Sequence, residues 1–178
     1  MFSSSPSGGS ETMQLMYQLA ITASKRSIDL ANSYFVPDEL TIQTLVEAAR
    51  RGVKVRVILP NGHIDSEVVR KASRASWGPM LEAGIEIAEF QPTMFHVKSM
   101  VVDGVFSSVG STNFDNRSFR LNDEANLNVL NAEFGVTQQR VFDNDWAQSH
   151  RITLAQWQDR PWREKCLEQL ATLLNSQL

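Results

Sequence analysis

Apolar residues along the chain switch between helical and strand periodicity from about residue 11 onward. Leu15, Met16, Leu19 and Ala20 recur at helical spacing, whereas residues 53–59 (VKVRVIL) are β-branched and nearly continuous, as in a buried strand. The predicted helices cover residues 11–25, 39–51, 65–83, 133–150 and parts of 154–175. The predicted strands cover residues 27–35, 53–59, 85–90, 95–102, 105–109 and 125–130.

Two further signals link these elements into a fold. Asp38 follows Pro37 and is expected to cap the helix after it, and Gly52 is expected to end that helix. Asp103 and Gly104 separate two apolar segments and form the residue pair typical of a tight β-hairpin turn. Strand–helix alternation followed by a hairpin predicts an α/β fold, an α-β-α sandwich with a mixed β-sheet.

Length and composition predict a single catalytic domain with two flanking segments. The chain has 178 residues, of which 42% are hydrophobic and 21% charged, as in an ordinary globular domain. Residues 1–10 hold five serines, two glycines and a proline, which is typical of a flexible linker. We therefore divide the chain into a linker-like N-terminus (1–10), a catalytic domain (11–150) and a C-terminal helical extension (151–178).

Charge and cysteine content narrow the function classes. The net charge of −3 gives no support to nucleic-acid binding through bulk charge. A single cysteine, Cys166, excludes an internal disulfide and a cysteine-ligated zinc cluster, and it is expected to be buried on an apolar helical stripe. No run of 18 apolar residues or secretory signal is evident. We expect no metal and no cofactor.

The segment from His96 to Glu124 carries the candidate chemistry. His96 and Lys98 are two residues apart on a predicted strand, so their side chains share one face and suit an anionic ligand. Asp103 has the opposite parity, and we expect it to serve the turn and its hydrogen bonds without touching substrate.

A second group of polar residues follows the hairpin. Gly110 permits close backbone approach, and Ser111 and Asn113 add hydrogen-bond donors that, with the lysine, suit phosphoryl oxygens. Glu124 precedes an apolar strand and is expected to orient the catalytic histidine through a ring N–H.

The spacing of these residues resembles the H-x-K-x-x-x-x-D-x-x-x-x-x-x-G-S-x-N motif of the phospholipase D superfamily. The motif positions are His96, Lys98, Asp103, Gly110, Ser111 and Asn113. Residues 34–39 (YFVPDE), 51–56 (RGVKVR) and 116–119 (NRSF) further resemble the bacterial cardiolipin synthases, most of all the C-terminal halves of tandem members. The resemblance covers about residues 11–150 and implies a phospholipase D-like half.

The resemblance implies metal-independent phosphodiester transfer through a phosphohistidine intermediate. One histidine attacks phosphorus, and a second protonates the leaving alcohol. Lys98 and Asn113 would bind the phosphoryl oxygens, Glu124 would lie behind the histidine, and Asp103 would be structural. The implied substrate is a phospholipid of the phosphatidylglycerol type, and the implied location is cytoplasmic or peripheral on the inner face of a bacterial membrane.

The chain carries one motif where the family uses two. His63 and His150 have no lysine two residues later. The second half is therefore either an identical chain or a missing N-terminal half. The linker-like start and the resemblance to C-terminal halves favour the missing N-terminal half. His96 is either the nucleophile or the acid. The alternatives are a homodimeric phospholipase D-like endonuclease or phosphodiesterase, against which the acidic balance argues, and an inactive orphan half-domain.

Residues outside the motif receive structural interpretations. His63 with Asp65 is expected to form a loop and helix start, with a metal pair as the alternative. Arg70, Lys71 and Arg74 are expected to form a solvated helix face, with binding of phospholipid head groups or nucleic acid as the alternative.

Overall fold

Eight strands form one mixed β-sheet in the order β1-β7-β6-β5-β2-β3-β4-β8 in the computed structural model, which describes residues 2–4, 12–120 and 122–172. Strands β2, β3 and β4 are parallel to one another, and every other pairing is antiparallel. This confirms the predicted α/β class with a mixed sheet. The strands are β1 (Phe2–Ser4), β2 (Ser27–Asn32), β3 (Lys54–Pro60), β4 (Glu86–Phe90), β5 (Lys98–Val102), β6 (Phe106–Gly110), β7 (Glu124–Leu130) and β8 (Ser149–Ile152).

Helices pack on both faces of the sheet. The larger core joins α1, α2 and α4 to one face, and a smaller core joins α6 to the other. Successive strand residues such as Val57 and Ile58 belong to different cores, because side chains alternate across a strand. The helices are α1 (Thr12–Ala23), α2 (Glu39–Arg50), α3 (Glu67–Ala75), α4 (Trp77–Glu82), α5 (Asn116–Arg120), α6 (Ala132–Ala147), α7 (Leu154–Gln158) and α8 (Trp162–Thr172).

The caps and turn that the sequence predicts are present. Asp38 accepts a hydrogen bond from the Thr41 N–H at the start of α2. Asp103 and Gly104 both have left-handed backbone conformations, with φ of 56° and 67°. The Val105 N–H closes the turn by donating to the Val102 carbonyl at 3.0 Å. Local turn chemistry therefore sets the β5–β6 hairpin.

The helix predicted over residues 65–83 is wrong as a single element. It is divided at Ser76, whose N–H bonds back to the Ser73 carbonyl. Trp77 begins α4 and is almost fully buried in the larger core, with its indole N–H donating to the Ser73 hydroxyl at 3.1 Å. The division arises because α3 packs against α8, whereas α4 packs against α2 and α7.

The helix predicted over residues 133–150 ends at Ala147, and Ser149–Ile152 form the edge strand β8 against β4. The predicted boundary between residues 150 and 151 therefore falls inside a strand. Helix α8 then packs on α3, but Cys166 on α8 is exposed, so the expectation of a buried cysteine is wrong.

At the other terminus, Phe2–Ser4 of the predicted linker form β1, and the remainder of residues 1–10 lies outside the described residues. Among the helices of the described ranges, none combines the length and apolar character needed to cross a bilayer.

The basic face predicted for α3 is also wrong for two of its three residues. The Arg70 guanidinium lies 2.9 Å from a Glu89 carboxylate oxygen, and that of Arg74 lies 3.3 Å from Glu168. Arg160 approaches the same Glu168 carboxylate at 2.7 Å. These charges pair with one another beneath α8, so they are not a solvated face.

Candidate active site

His96 and Lys98 stand together at the start of β5. The Lys98 Nζ lies 3.1 Å from His96 Nδ1 and 3.2 Å from Nε2, so the ammonium rests against the ring without selecting one nitrogen. His96 precedes the first residue of β5 and is exposed, whereas Lys98 is buried. The edge of the Tyr34 ring faces the imidazole, with ring centroids 6.0 Å apart. An exposed imidazole thus adjoins a desolvated cation.

The charge on Lys98 is held in a partly desolvated position. Burial lowers the pKa of Lys98 below the ordinary lysine value, while the negative charges of Glu124, Asp65 and Asp115 oppose that shift. A desolvated ammonium interacts more strongly with an anion than a hydrated one does. The position therefore suits the oxygens of a phosphoryl group.

Asn113 is oriented by a neighbour from the other side of the site. The Ser33 hydroxyl donates to Asn113 Oδ1 at 2.9 Å, and this leaves the amide NH2 to donate toward a ligand. The loop that carries Asn113 is fixed to the segment after β2, because the Val36 N–H donates to the Phe114 carbonyl at 2.8 Å. This bond holds the Asn113 loop beside the segment that carries Tyr34, whose ring faces His96.

Gly110 and Ser111 serve the packing of the loop. A Cβ at Gly110 would overlap Asn126 Oδ1 and the Ala125 carbonyl oxygen, so the close approach that this glycine permits is to β7. The Ser111 hydroxyl accepts a hydrogen bond from the Ala125 N–H at 3.1 Å and is otherwise exposed. Both residues hold the loop against β7.

Asn126 on β7 holds this loop through side-chain hydrogen bonds, and the sequence analysis did not identify it as a site residue. Its Oδ1 accepts from the Thr112 hydroxyl at 2.9 Å, and its Nδ2 donates to the Tyr17 hydroxyl at 2.6 Å and to the Ser108 hydroxyl at 2.9 Å. Burial raises the pKa of Tyr17 to about 12, which keeps its hydroxyl protonated. The sequence signal that could have identified Asn126 is a polar residue at a core-facing position of the predicted strand.

Glu124 does not make the predicted contact with the histidine. Its carboxylate accepts from the Ser118 hydroxyl at 3.1 Å and from the Asn122 amide at 3.3 Å. Among the hydrogen bonds of the described residues, none joins Glu124 to His96. Helix α5 accounts for this difference because it places Ser118 beside the carboxylate.

Asp103 lies at the opposite end of β5 and serves the fold. Its carboxylate accepts the backbone N–H groups of Lys25, Arg26 and Ser27 at 2.9, 2.7 and 2.9 Å. Desolvation raises the pKa of Asp103, but these three hydrogen bonds outweigh it and leave the pKa below the ordinary aspartate value. The parity argument for a structural role agrees with this geometry.

A small cavity of about 210 Å³ adjoins the site and is lined in part by Tyr34, Asn113 and Asp115. Asp115 is a buried carboxylate that accepts the Ser118 N–H at 2.7 Å, and desolvation raises its pKa. The sequence analysis did not single out this residue, although Asp is a typical N-cap residue and Asp115 directly precedes α5.

Potential metal ligands are not grouped in the described residues. Within residues 2–4, 12–120 and 122–172, no set of three or more His, Cys, Asp or Glu side chains is placed to hold a metal ion. The His63 N–H donates to Asn61 Oδ1 at 2.7 Å in the loop before α3, which agrees with the loop interpretation of His63 and Asp65.

Apolar side chains are exposed beside the histidine. Met94 is 47% exposed and Val97, adjacent to His96, is 36% exposed. We call these two residues the apolar corner.

Comparison with known proteins gives a family match over most of the chain. Residues 17–146 match the family model described as "Cardiolipin synthase, PLD-like domain". The chain is 38% identical to a cardiolipin synthase of Geobacillus kaustophilus over 165 residues, which cover 93% of this chain and 33% of that protein. It is 36% identical to a cardiolipin synthase A of Serratia proteamaculans, covering 88% of this chain and 33% of that protein. The chain thus spans about a third of the length of these relatives.

Two solved structures share the fold. The phospholipase D family member Nuc from Salmonella typhimurium superposes with a TM-score of 0.72 at 23% identity, covering 82% of this chain and 93% of Nuc. The phosphatidylserine synthase of Haemophilus influenzae superposes with a TM-score of 0.77 at 13% identity, covering 99% of this chain and 47% of the synthase.

Proposed function

The chain belongs to the phospholipase D-like family of the cardiolipin synthase type, and from that premise we propose that it supplies one H-x-K half of a phosphatidyl-transferring active site. The observation that carries this proposal is the contact of the exposed His96 imidazole with the buried Lys98 ammonium, together with the oriented Asn113 amide in a neighbouring loop. A nucleophilic or acid–base imidazole, a desolvated ammonium and an oriented amide are the groups that phosphodiester transfer requires.

In this mechanism two histidines act on one phosphorus. The nucleophilic histidine forms an N–P bond as the P–O bond to the leaving alcohol breaks, and the other histidine gives that alcohol its proton. The incoming alcohol then loses a proton to the second histidine and displaces the first, restoring both. Lys98 and the Asn113 amide stabilise the charge on the phosphoryl oxygens. His96 takes one of the two histidine roles.

The second histidine comes from another H-x-K half. One imidazole cannot be bonded to phosphorus and protonate the leaving group at the same time. The apolar corner beside His96 supports a partner surface there, because exposed apolar groups next to a polar site are typical of interfaces. The short span relative to the cardiolipin synthases supports an N-terminal half as the partner.

The substrate we propose is a phospholipid of the phosphatidylglycerol type, met at the inner surface of a bacterial membrane. The name of the relatives supports the lipid class. The internal pairing of Arg70 and Arg74 with Glu89 and Glu168 also supports it, since these arginines are then not available to a nucleic-acid backbone.

A homodimeric phosphodiesterase is the second candidate. The observation in its favour is the match in size to Nuc, of which this chain covers 93%. In that case two copies would present their His96 side chains to one phosphate across a twofold axis. An inert half-domain is the remaining alternative.

Light scattering and a transfer assay on the same purified sample test the proposal. The chain is assayed on phosphatidylglycerol vesicles alone and after addition of a separately expressed chain carrying another H-x-K motif. An inactive monomer that gains His96-dependent transfer on mixing supports the tandem half. A stable dimer with transfer activity of its own supports the homodimer. Absence of transfer in both conditions contradicts the proposed function.

A further inference from the structure

The cavity beside the active site has the size of a small polar head group. Its volume of about 210 Å³ corresponds to about seven water molecules, which is too little for an acyl chain. It shares Tyr34 and Asn113 with the site, so a ligand in it would lie next to the phosphoryl position. We call it the Asp115 pocket; its other polar lining residues are Asp115, Arg117 and Asn122.

The lining suits hydroxyl groups. Asp115 is 4% exposed and contributes a carboxylate whose described hydrogen bond is to the Ser118 N–H. A carboxylate shielded from water gains from accepting hydroxyl hydrogen bonds, and its raised pKa reflects that shielding. The amides of Asn113 and Asn122 and the Tyr34 hydroxyl add groups that both donate and accept.

Arg117 sets the charge preference of the pocket. It is exposed in the pocket wall, so its guanidinium is accessible to a ligand there. A guanidinium at this position attracts a phosphate and repels an ammonium head group. An ammonium would otherwise be the natural partner of Asp115, and Arg117 therefore favours a neutral polyol attached to phosphate.

We propose that the Asp115 pocket binds the polyol head group of an anionic phospholipid, with Asp115 accepting hydrogen bonds from its hydroxyl groups and Arg117 facing its phosphate. This inference rests on the proposed function, since it makes the pocket the place where one of the two alcohols in phosphatidyl transfer is held. Asp115 and Arg117 are then residues that determine specificity, and His96 and Lys98 act on the phosphorus.

Titration of the full 178-residue chain by amide NMR tests this directly. The probes are glycerophosphoglycerol, glycerophosphoethanolamine and inorganic phosphate, with shifts followed at Asn113 and Asn122. We expect glycerophosphoglycerol to bind about tenfold more tightly than glycerophosphoethanolamine. Asp115→Asn keeps an acceptor for the Ser118 N–H and should weaken glycerophosphoglycerol about tenfold, as expected for loss of a charged acceptor. It should leave inorganic phosphate bound at least as tightly.

A second variant keeps the test independent of any folding defect. Arg117→Gln should narrow the preference between the two head groups, while Arg50→Gln, an exposed arginine at the end of α2, should leave it unchanged. Equal or reversed affinities in the wild type, no binding of either head group, or an unchanged affinity for glycerophosphoglycerol in Asp115→Asn with native melting would overturn the proposal. A head-group preference that persists in a chain without transfer activity in any pairing would instead refute the proposed function alone.

Discussion

At one end of β5, Asp103 accepts three backbone N–H groups and is held in a tight turn. At the other end, exposed His96 lies against the desolvated ammonium of Lys98. The five residues of β5 run from Lys98 to the turn at Asp103 and span roughly 17 Å along the strand. One sequence motif therefore places the residue that stabilises the turn and the residues proposed to react at opposite ends of β5.

The two ends of β5 differ in whether their polar groups already have hydrogen-bond partners within the chain. The Asp103 carboxylate has its hydrogen bonds within the chain, and these tie the hairpin to the start of β2. At the His96 end, the imidazole and the Lys98 ammonium are in contact, and the Asn113 NH2 is left to donate toward a ligand. Completed hydrogen bonds stabilise the fold, whereas unshared donors beside a desolvated charge favour binding and chemistry.

The largest effect is expected at the reacting end. His96→Ala should reduce phosphatidyl transfer by at least about three orders of magnitude in any active pairing, because it removes the nucleophile or the acid. The melting temperature should stay close to that of the wild type, since His96 is exposed. Transfer rate and thermal melting on one preparation check both expectations. Activity retained in this variant would remove His96 from the mechanism.

A smaller loss is expected at its neighbour. Lys98→Ala should lower the transfer rate by about two orders of magnitude, the scale for losing one group that stabilises developing charge. Affinity for inorganic phosphate should fall as well, because the ammonium binds the same oxygens. Arg50→Gln provides a matched control for loss of one positive charge. A normal rate in Lys98→Ala would contradict the assignment.

The opposite end should respond in stability. Asp103→Asn should lower the free energy of unfolding by about 1–2 kcal/mol, because an amide oxygen replaces a carboxylate with three N–H partners. For a chain of this size that is a fall of roughly 2–8 °C in melting temperature. The transfer rate of the folded variant should stay within about twofold of the wild type. A well-folded but inactive Asp103→Asn chain would contradict the assignment of a purely structural role to Asp103.

The smallest effect concerns pH. The pKa of Asp103 is lower in the folded chain than its ordinary value of 3.8, so its contribution to stability is present above that value and is lost as pH falls through the folded pKa. The stability difference between wild type and Asp103→Asn should therefore be equal at about pH 7 and pH 5 and shrink below about pH 4. Denaturant unfolding at each pH measures it. A difference that grows on acidification would be inconsistent with these hydrogen bonds.

The sequence was sufficient for the parts of the molecule that depend on local pattern. The hairpin turn and the α2 cap follow from residues that interact within a few positions. Strand β8 was missed because SHRI has neither alternation nor length, and the structure forms it by pairing with β4, about 60 residues earlier. The division at Ser76 likewise depends on distant partners, because α3 packs on α8 whereas α4 packs on α2 and α7.

The candidate site divides in the same way. The adjacency of His96 and Lys98 follows from strand periodicity, although β5 begins only at Lys98. Strand parity also predicts that Asp103 faces away from the site. Its hydrogen-bond partners at residues 25–27 could not be predicted, because they are more than 75 positions away in the sequence. The predicted contact from Glu124 to His96 failed because α5 places Ser118 against that carboxylate. The role of Asp115 could not be predicted, because the cavity beside it is lined by residues that are distant in the sequence, such as Tyr34 and Val69.

The claim that His96, Lys98 and Asn113 hold a phosphoryl group has one direct test, which needs no second half. Crystals of the chain soaked in tungstate, a phosphate analogue, would show the bound anion by its anomalous scattering. The account predicts one dominant peak within hydrogen-bonding distance of Lys98 Nζ and Asn113 Nδ2, absent in Lys98→Ala and present in Asp103→Asn. A peak at the Asp103 end of β5, or none near Lys98, would contradict it.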